Sequence, residues 1–297
     1  MILTDCYNVK VIEYLHGSEI RIYSDLIGKK ELVNDFFSYN PSDDFVDNNN
    51  NNDDEFNIYN PSLDVIKEYE QIDVDTYLKD KIVEDEKRVK DSERSLNSSK
   101  NRTVNSIYEI ARSNEWEYFL TLTFNPEKVD SFNYDDVVKK LSKWINNIKR
   151  KYAPDLKYVL VPELHKSGRF HFHGLLSNIG DLKLIDSTKR DKSGNIIYNI
   201  GSYKYGWNEV TKVVDTQRVS TYITKYITKE LCAVSFGKKR YWHSNNLNKP
   251  VVNTYTMSRN EIEDMISSFS DRIIFTKQVD CLYYDLKTTY YQISESR

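Results

Sequence analysis

The chain has 297 residues, of which 39% are hydrophobic and 29% charged. This length allows one large domain or two modest ones with a sizeable core, which excludes a small disulfide-stapled protein. No apolar run approaches the roughly 20 residues that a membrane helix needs, so we expect no membrane partner. The three cysteines lie far apart without a CxxC motif, and the first residues do not form a secretory signal. We therefore expect a cytoplasmic protein.

The formal net charge of −3 hides two segments of opposite sign. Residues 1–100 carry 12 basic and 23 acidic side chains, whereas residues 101–297 carry 30 basic and 22 acidic ones. The basic segment suits an anionic partner such as a nucleic acid, and the acidic segment suits a screening tail or a contact surface for another protein.

The N-terminal third predicts little that could carry chemistry. Two β-rich runs flank Gly17 and predict a small hairpin of unknown role. Residues 40–57 combine an asparagine run with acidic side chains and few apolar ones, which predicts a disordered linker. The charge-dense stretch from Ile66 to Lys100 predicts an exposed helix or a solvated tail.

From Asn101 the pattern becomes that of a folded core. Tyr118–Phe124 predicts a strand, and residues 135–151 carry an apolar stripe at helical spacing. The basic side chains of this helix either track a DNA backbone or form a solvated surface; they are Lys139, Lys140, Lys143, Lys149, Arg150 and Lys151. Apolar residues four apart predict a further helix over Thr216–Leu231, although its isoleucines and threonines favour strands.

Two shorter stretches resemble nucleotide or nucleic-acid sites. Gly201 and Gly206 have the spacing of a phosphate-binding loop, but Trp207 and Asn208 stand where Lys and Ser or Thr are needed, which excludes an ATPase motor of this kind. Residues 238–242 interleave basic and aromatic side chains, as single-strand binders do.

A predicted hairpin holds three of the five histidines, His165, His171 and His173, within nine residues. Its strands are the β runs at 158–165 and 170–176. Because side chains alternate along a strand, His171 and His173 lie on one face and can chelate one ion, while Phe170 should point into the core with Phe172.

The turn of this hairpin decides whether a carboxylate joins the histidines. If Lys166–Gly168 is a three-residue loop with Gly168 in the left-handed conformation, Glu163 lies directly across from His171. A two-residue turn would make Glu163 face away. Two imidazoles and one carboxylate leave coordination positions open, which suits zinc in a hydrolase or Mg²⁺ or Mn²⁺ against a phosphate.

The sequence Tyr222-Ile-Thr-Lys225-Tyr226-Ile-Thr-Lys229 repeats a YxxK pattern. On a helix the two tyrosines lie one turn apart, each with a lysine nearby. A phenol has a pKa of about 10 and attacks poorly unless a cation stabilises its phenolate or a metal activates its target. The pattern therefore predicts a pair of nucleophiles; the alternative is that the tyrosines only flank a buried stripe.

Three segments taken in order resemble a known family. FLTLTF at 119–124, GRFHFHGLL at 168–176 and YITKYITK at 222–229 resemble the motifs of HUH endonucleases of the rolling-circle replication-initiator type, where U is a bulky apolar residue, here Phe172. Two tyrosines resemble the phage-like branch of such plasmid and phage initiators. The resemblance covers residues 101–250.

The resemblance implies an enzyme that nicks single-stranded origin DNA, leaving a 5′-phosphotyrosine and a 3′-OH primer, and then rejoins strands. The implied site consists of the metal ligands His171, His173 and Glu163, with His165 as a competing ligand, and the catalytic residues Tyr222, Tyr226 and Lys225. The implied cofactor is Mg²⁺ or Mn²⁺. Further partners would be a host helicase, since no helicase motif is present, and a DNA polymerase.

The implied fold is α+β, with a central antiparallel sheet of about five strands that carries the HUH hairpin, helices packed on it, and a tyrosine-bearing helix at the active site. The predicted domains are an N-terminal segment at 1–39, a linker and charged helix at 40–100, the endonuclease domain at 101–250 and an extension at 251–297. Two alternatives stay open: a zinc hydrolase that uses His171, His173 and Glu163 with water, and a nucleic-acid-binding module without activity.

Overall fold

A computed structural model describes residues 6–28, 74–280 and 286–295. The linker predicted at 40–57 lies outside the described residues. The chain divides into two compact units, one formed by residues 1–28 together with 93–297 and one by residues 29–92. Both sheets and the candidate site belong to the first unit. No helix within the described ranges is long and apolar enough to cross a membrane.

Twelve strands and five α-helices are found in the described residues. In chain order they are β1 (Cys6–Glu13), β2 (Ser18–Gly28), α1 (Val74–Arg112), β3 (Tyr118–Phe124), α2 (Tyr134–Lys151), β4 (Lys157–Leu164), β5 (Phe170–Ser177), β6 (Leu184–Arg190), β7 (Ile196–Ile200), β8 (Gly206–Lys212), α3 (Thr216–Thr224), α4 (Lys229–Val234), β9 (Trp242–His243), β10 (Val251–Tyr255), α5 (Arg259–Ser268), β11 (Ile273–Asp280) and β12 (Lys287–Ile293).

The strands form two antiparallel sheets, which confirms the α+β class. The larger sheet has seven strands in the order β6-β7-β8-β3-β5-β4-β9, so the prediction of about five was too low. The additional strands give weak sequence signals, because β6 is mostly polar and β9 has two residues. The β4–β5 hairpin nevertheless lies inside the sheet, between β3 and β9.

The smaller sheet, in the order β10-β1-β2-β12-β11, joins the two ends of the chain. It contains the predicted N-terminal hairpin, whose turn uses Gly17 at φ +81°. α5 packs its apolar side chains against Val9, Ile20 and Ile293 of this sheet. Local sequence patterns did not predict this sheet, since its strands are more than 200 residues apart in the chain.

One face of the larger sheet packs on α2. Asn133 caps this helix by accepting hydrogen bonds from the backbone N–H groups of Asp135 and Asp136, which explains where the apolar stripe begins. Phe170 and Phe172 are buried in the core that α2 covers, as predicted. The histidines that alternate with them along β5 therefore lie on the opposite face.

The helix predicted over Thr216–Leu231 is interrupted. α3 ends at Thr224, and α4 begins only after Thr228, which has an extended backbone and accepts a hydrogen bond from the N–H of Leu231. Threonine is a favoured N-cap residue but a modest helix former, so it starts a second helix here instead of continuing the first. Tyr222 thus lies in α3, and Tyr226 lies in the connection between the helices.

The core on the α2 face should carry a large share of the stability. Phe172 is fully buried against Phe124 and Trp242, whereas Phe236 is 79% exposed. We expect Phe172→Ala to lower the free energy of unfolding by about 3–5 kcal/mol, because a buried ring leaves a cavity. Phe236→Ala should change it by less than about 0.5 kcal/mol. Urea denaturation of both variants tests this, and similar losses for the two would contradict the assigned core.

Candidate active site

The β4–β5 hairpin has the register that a three-residue loop predicts. Glu163 pairs directly with His171. The loop is closed by hydrogen bonds from the N–H of His165 to the carbonyl of Arg169, at 2.9 Å, and from the N–H of Gly168 back to His165, at 2.8 Å. Gly168 has φ +82°, the left-handed conformation that glycine adopts without strain. Glu163 therefore shares the face of the histidines.

His173 is held at both ring nitrogens. Its Nε2 lies 2.7 Å from Oε2 of Glu163, and its Nδ1 lies 3.2 Å from Oγ1 of Thr121 on β3. Because an ionised carboxylate only accepts, the neutral ring donates from Nε2 to Glu163 and accepts from the Thr121 hydroxyl at Nδ1. Thr121 thus orients the imidazole and points its Nε2 at the carboxylate.

The second imidazole has a different neighbour. The His171 ring stacks on His165, with 5.2 Å between ring centres and 9° between ring planes. Burial, together with the charges of His165 and Arg169, lowers the pKa of His171. Burial also lowers the pKa of His173, although its hydrogen bond to Glu163 opposes that shift. Both rings therefore favour the neutral form, which is the form that binds metal ions.

The donor atoms fit a divalent cation in chemistry and spacing. Among the described residues, no three His, Cys, Asp or Glu side chains are already gathered as a metal site. However, Nε2 of His173 and Oε2 of Glu163 converge to 2.7 Å, and two ligands about 2.1 Å from one ion lie about 3 Å apart. His171 offers the next imidazole on this face, and the ring stacked on it keeps His165 as a competing ligand.

Both tyrosines meet the histidine face of the sheet. The Tyr226 ring stacks on His173, with 3.6 Å between ring centres and 7° between planes. Tyr222 contacts Tyr226 edge-on, with ring centres 5.8 Å apart, and Phe119 of β3, with ring centres 5.5 Å apart. Residues separated by about 50 positions in the chain therefore come together at one point of the sheet.

The two phenols lie in different environments. Nζ of Lys225 lies 3.4 Å from the ring centre of Tyr222 and 4.8 Å from that of Tyr226. Hydrogen bonding to Lys225, and then to Tyr226, lowers the pKa of Tyr222, which is 45% exposed. Burial, and then hydrogen bonding to Tyr222, raises the pKa of Tyr226, which is 6% exposed. Tyr222 is therefore the more reactive and accessible phenol.

An open cleft of about 400 Å³ lies beside these groups. Its lining residues are Glu163, Leu164, His173, Lys225, Tyr226 and Thr228. The structure thus brings together predicted metal ligands, a predicted nucleophile and the predicted lysine. Lys229, the second lysine of the repeat, instead begins α4 and is exposed.

Sequence reasoning missed Thr121 and Phe119, which contact the site from β3. The signal was present in the alternation of FLTLTF, since every second residue of a central strand shares a face with the neighbouring histidines. Thr121 pairs directly with His173.

Other candidate nucleic-acid contacts have structural roles. Trp242 packs on Phe172 in the core, and Lys238 forms an ion pair with Asp135 at 2.6 Å. Arg240 donates to the carbonyl of Cys232 at 3.0 Å. The basic side chains of α2 belong to the helix that covers the other face of the sheet.

The comparisons with known proteins reach the same part of the chain. Residues 117–231 match the family model described as Replication-associated protein ORF2. That stretch resembles a replication initiator. It runs from the start of β3 into α4 and includes both histidines and both tyrosines, but it covers less than half of the chain. The match supports a role in initiating replication and is consistent with a rolling-circle Rep-type protein. No curated protein and no solved structure matches the chain.

The Glu163–His173 pair makes a prediction about protonation. Glu163→Gln should lower the pKa of His173 further below 6.5, because the lost carboxylate no longer stabilises the imidazolium ion. NMR titration of the ring carbons in metal-free protein measures this shift. Glu209→Gln, at an exposed position of β8, is the matched control and should leave the pKa of His173 unchanged. A rise of the pKa in Glu163→Gln would contradict the assigned pair.

Proposed function

We propose that this protein is a rolling-circle replication initiator that nicks single-stranded origin DNA with a tyrosine and retains the 5′ end covalently. The observation that carries the proposal is the stacking of Tyr226 on His173, with Tyr222 and Lys225 beside it and Glu163 hydrogen-bonded to the same imidazole. The match of residues 117–231 to a replication-associated family supports it.

The proposal includes a divalent cation at the histidine face. His171, His173 and Glu163 would hold Mg²⁺ or Mn²⁺, with His165 as the competing ligand. When bound, such an ion polarises the scissile phosphate and makes its phosphorus more electrophilic. Thr121 contributes by holding the His173 ring in position through Nδ1.

Tyr222 is the proposed nucleophile of the first cleavage. Lys225 stabilises its phenolate, so the phenol proton leaves to solvent at a lower pH than usual. The Tyr222 oxygen then forms a bond to phosphorus while the bond from phosphorus to the 3′ oxygen breaks. The leaving oxygen takes a proton and becomes a 3′-OH, and the 5′ phosphate stays on the tyrosine.

Tyr226 is suited to the second cleavage. After synthesis from the 3′-OH has regenerated the origin, a second phenol can cut the new junction, and the freed 3′-OH can attack the first phosphotyrosine and rejoin the strand. The ring centres of the two tyrosines are 5.8 Å apart, so both can serve one cleft. The site carries out cleavage and rejoining only, so unwinding and synthesis in the cytoplasm are assigned to a host helicase and DNA polymerase.

The first test is a covalent adduct. Incubation with an origin-bearing single strand and Mg²⁺ or Mn²⁺ should give a protein–DNA product that survives denaturing electrophoresis. Tyr222→Phe should slow its formation at least about 100-fold, because the nucleophile is lost. Tyr226→Phe should still form the adduct but fail to transfer the strand, and the double variant should form none.

The same assay separates the alternatives. Cleavage without an adduct would replace the proposal with a hydrolase in which the Glu163–His173 pair activates water. No cleavage with any metal ion, together with intact DNA binding, would leave a binding module. Cleavage that is lost in His173→Ala or after chelation with EDTA supports the proposed site.

A second test concerns the two lysines of the repeat. Lys225→Met should slow adduct formation by about 100- to 1,000-fold, since the cation that stabilises the Tyr222 phenolate is removed. The pH at which the rate rises should also increase, because the pKa of Tyr222 is no longer lowered. Lys229→Met is the matched control and should keep the parental rate and pH profile. Equal effects of the two substitutions would contradict the role of Lys225.

A further inference from the structure

A tryptophan lies on the same sheet face as the candidate site. Trp207 of β8 pairs with Thr123 of β3, and Thr123 pairs with His171 of β5. Directly opposed residues of antiparallel strands share a face. Glu163, His171, Thr123 and Trp207 therefore form one row across four strands, and the indole at its end is 61% exposed.

This row is the open part of the histidine face. Farther along the strands the same face is closed, because Val159, Val161 and Leu175 are fully buried. The two tyrosine rings cover His173 and Phe119. A strand that leaves the cleft along the surface would thus pass His171 and Thr123 and arrive at Trp207.

The neighbours of Trp207 fix its outward orientation. Asn208 points to the opposite face, where its Oδ1 accepts from the N–H of Ile200 at 2.6 Å. Gly206 allows β8 to begin close to β3, since a Cβ at this position would lie 2.0 Å from the carbonyl oxygen of Thr123. The backbone is therefore anchored on both sides of an indole that itself remains exposed.

The charges near the row suit a phosphate backbone. Lys128 donates to the carbonyl of Lys204 at 3.2 Å, which places two exposed basic residues beside the start of β8. Lys166 and Arg169 lie in the hairpin loop at the same end of the sheet. Glu209, the acidic neighbour on this face, is paired with Lys189 at 3.3 Å.

We propose that Trp207 is a stacking platform for a base of the single-stranded DNA that enters the cleft. An exposed indole on a rigid strand, flanked by cations, is the chemistry by which proteins hold unpaired bases with little sequence preference. Trp207 is two strands from His171, about 10 Å, which corresponds to about three nucleotides at roughly 3.4 Å each when they are stacked. The stacked base is thus within about three nucleotides of the scissile phosphate, an assignment that rests on the proposed function.

Intrinsic fluorescence tests this platform directly. Of the four tryptophans, Trp116 and Trp144 are buried and Trp242 packs on Phe172, so the solvent-exposed emission comes from Trp207. The probe is a mixed-sequence single-stranded oligodeoxynucleotide, added with EDTA so that binding is measured without cleavage. Wild-type emission should be quenched on binding, and the duplex of the same sequence should quench it far less.

Substitutions separate stacking from other effects. Trp207→Ala should abolish the quenching and weaken single-strand binding about 5- to 150-fold. Trp207→Phe should lose the quenching but keep most of the affinity, because a smaller ring still stacks. Phe275→Ala, at a half-exposed aromatic residue of β11 in the other sheet, is the matched control and should bind like the wild type. An unchanged thermal midpoint in all three variants shows that the fold is retained.

The outcomes also separate this inference from the proposed function. Wild-type affinity in Trp207→Ala overturns the platform, even if the covalent adduct forms normally. Weakened binding in Trp207→Ala without any adduct from the wild type supports the platform and rejects the nickase. No binding of the single strand by the wild type overturns both.

Discussion

The register of the β4–β5 hairpin is the constraint on which the candidate site depends. Side chains alternate along a strand, so a slip of one residue would move Glu163 to the α2 face and leave His173 without its carboxylate. The three-residue loop with Gly168 in the left-handed conformation sets that register. Thr121 then holds His173 from the neighbouring strand, and the oriented imidazole supports the ring of Tyr226.

Around this hairpin the two phenols differ because one cation and one imidazole divide them. Lys225 lies over Tyr222, which is exposed and has a lowered pKa, whereas Tyr226 is buried against His173 and has a raised one. The break between α3 and α4 allows this difference. On a continuous helix the two side chains would lie one turn apart in similar positions.

The chain termini support the site from outside the family match. The smaller sheet contacts the end of α1: Gln292 donates to the Tyr108 hydroxyl at 3.2 Å, and Arg112 donates to the carbonyl of His16 at 3.0 Å. The chain then runs directly into β3, where the indole of Trp116 donates to the carbonyl of Ala111. Residues 6–28 and 251–293 therefore stabilise the start of the strand that carries Thr121.

The sequence by itself determined the local features: the hairpin with its histidines on one face, the apolar stripe of α2 and the tyrosine–lysine repeat. These depend on periodicity and turn chemistry within a few residues. Only the tertiary structure decided the seven-stranded order, the sheet built from the two termini, the different burial of Tyr222 and Tyr226, and the exposure of Trp207. Such properties depend on pairing and burial between segments that are distant in the chain, and the same local pattern is compatible with several of these arrangements.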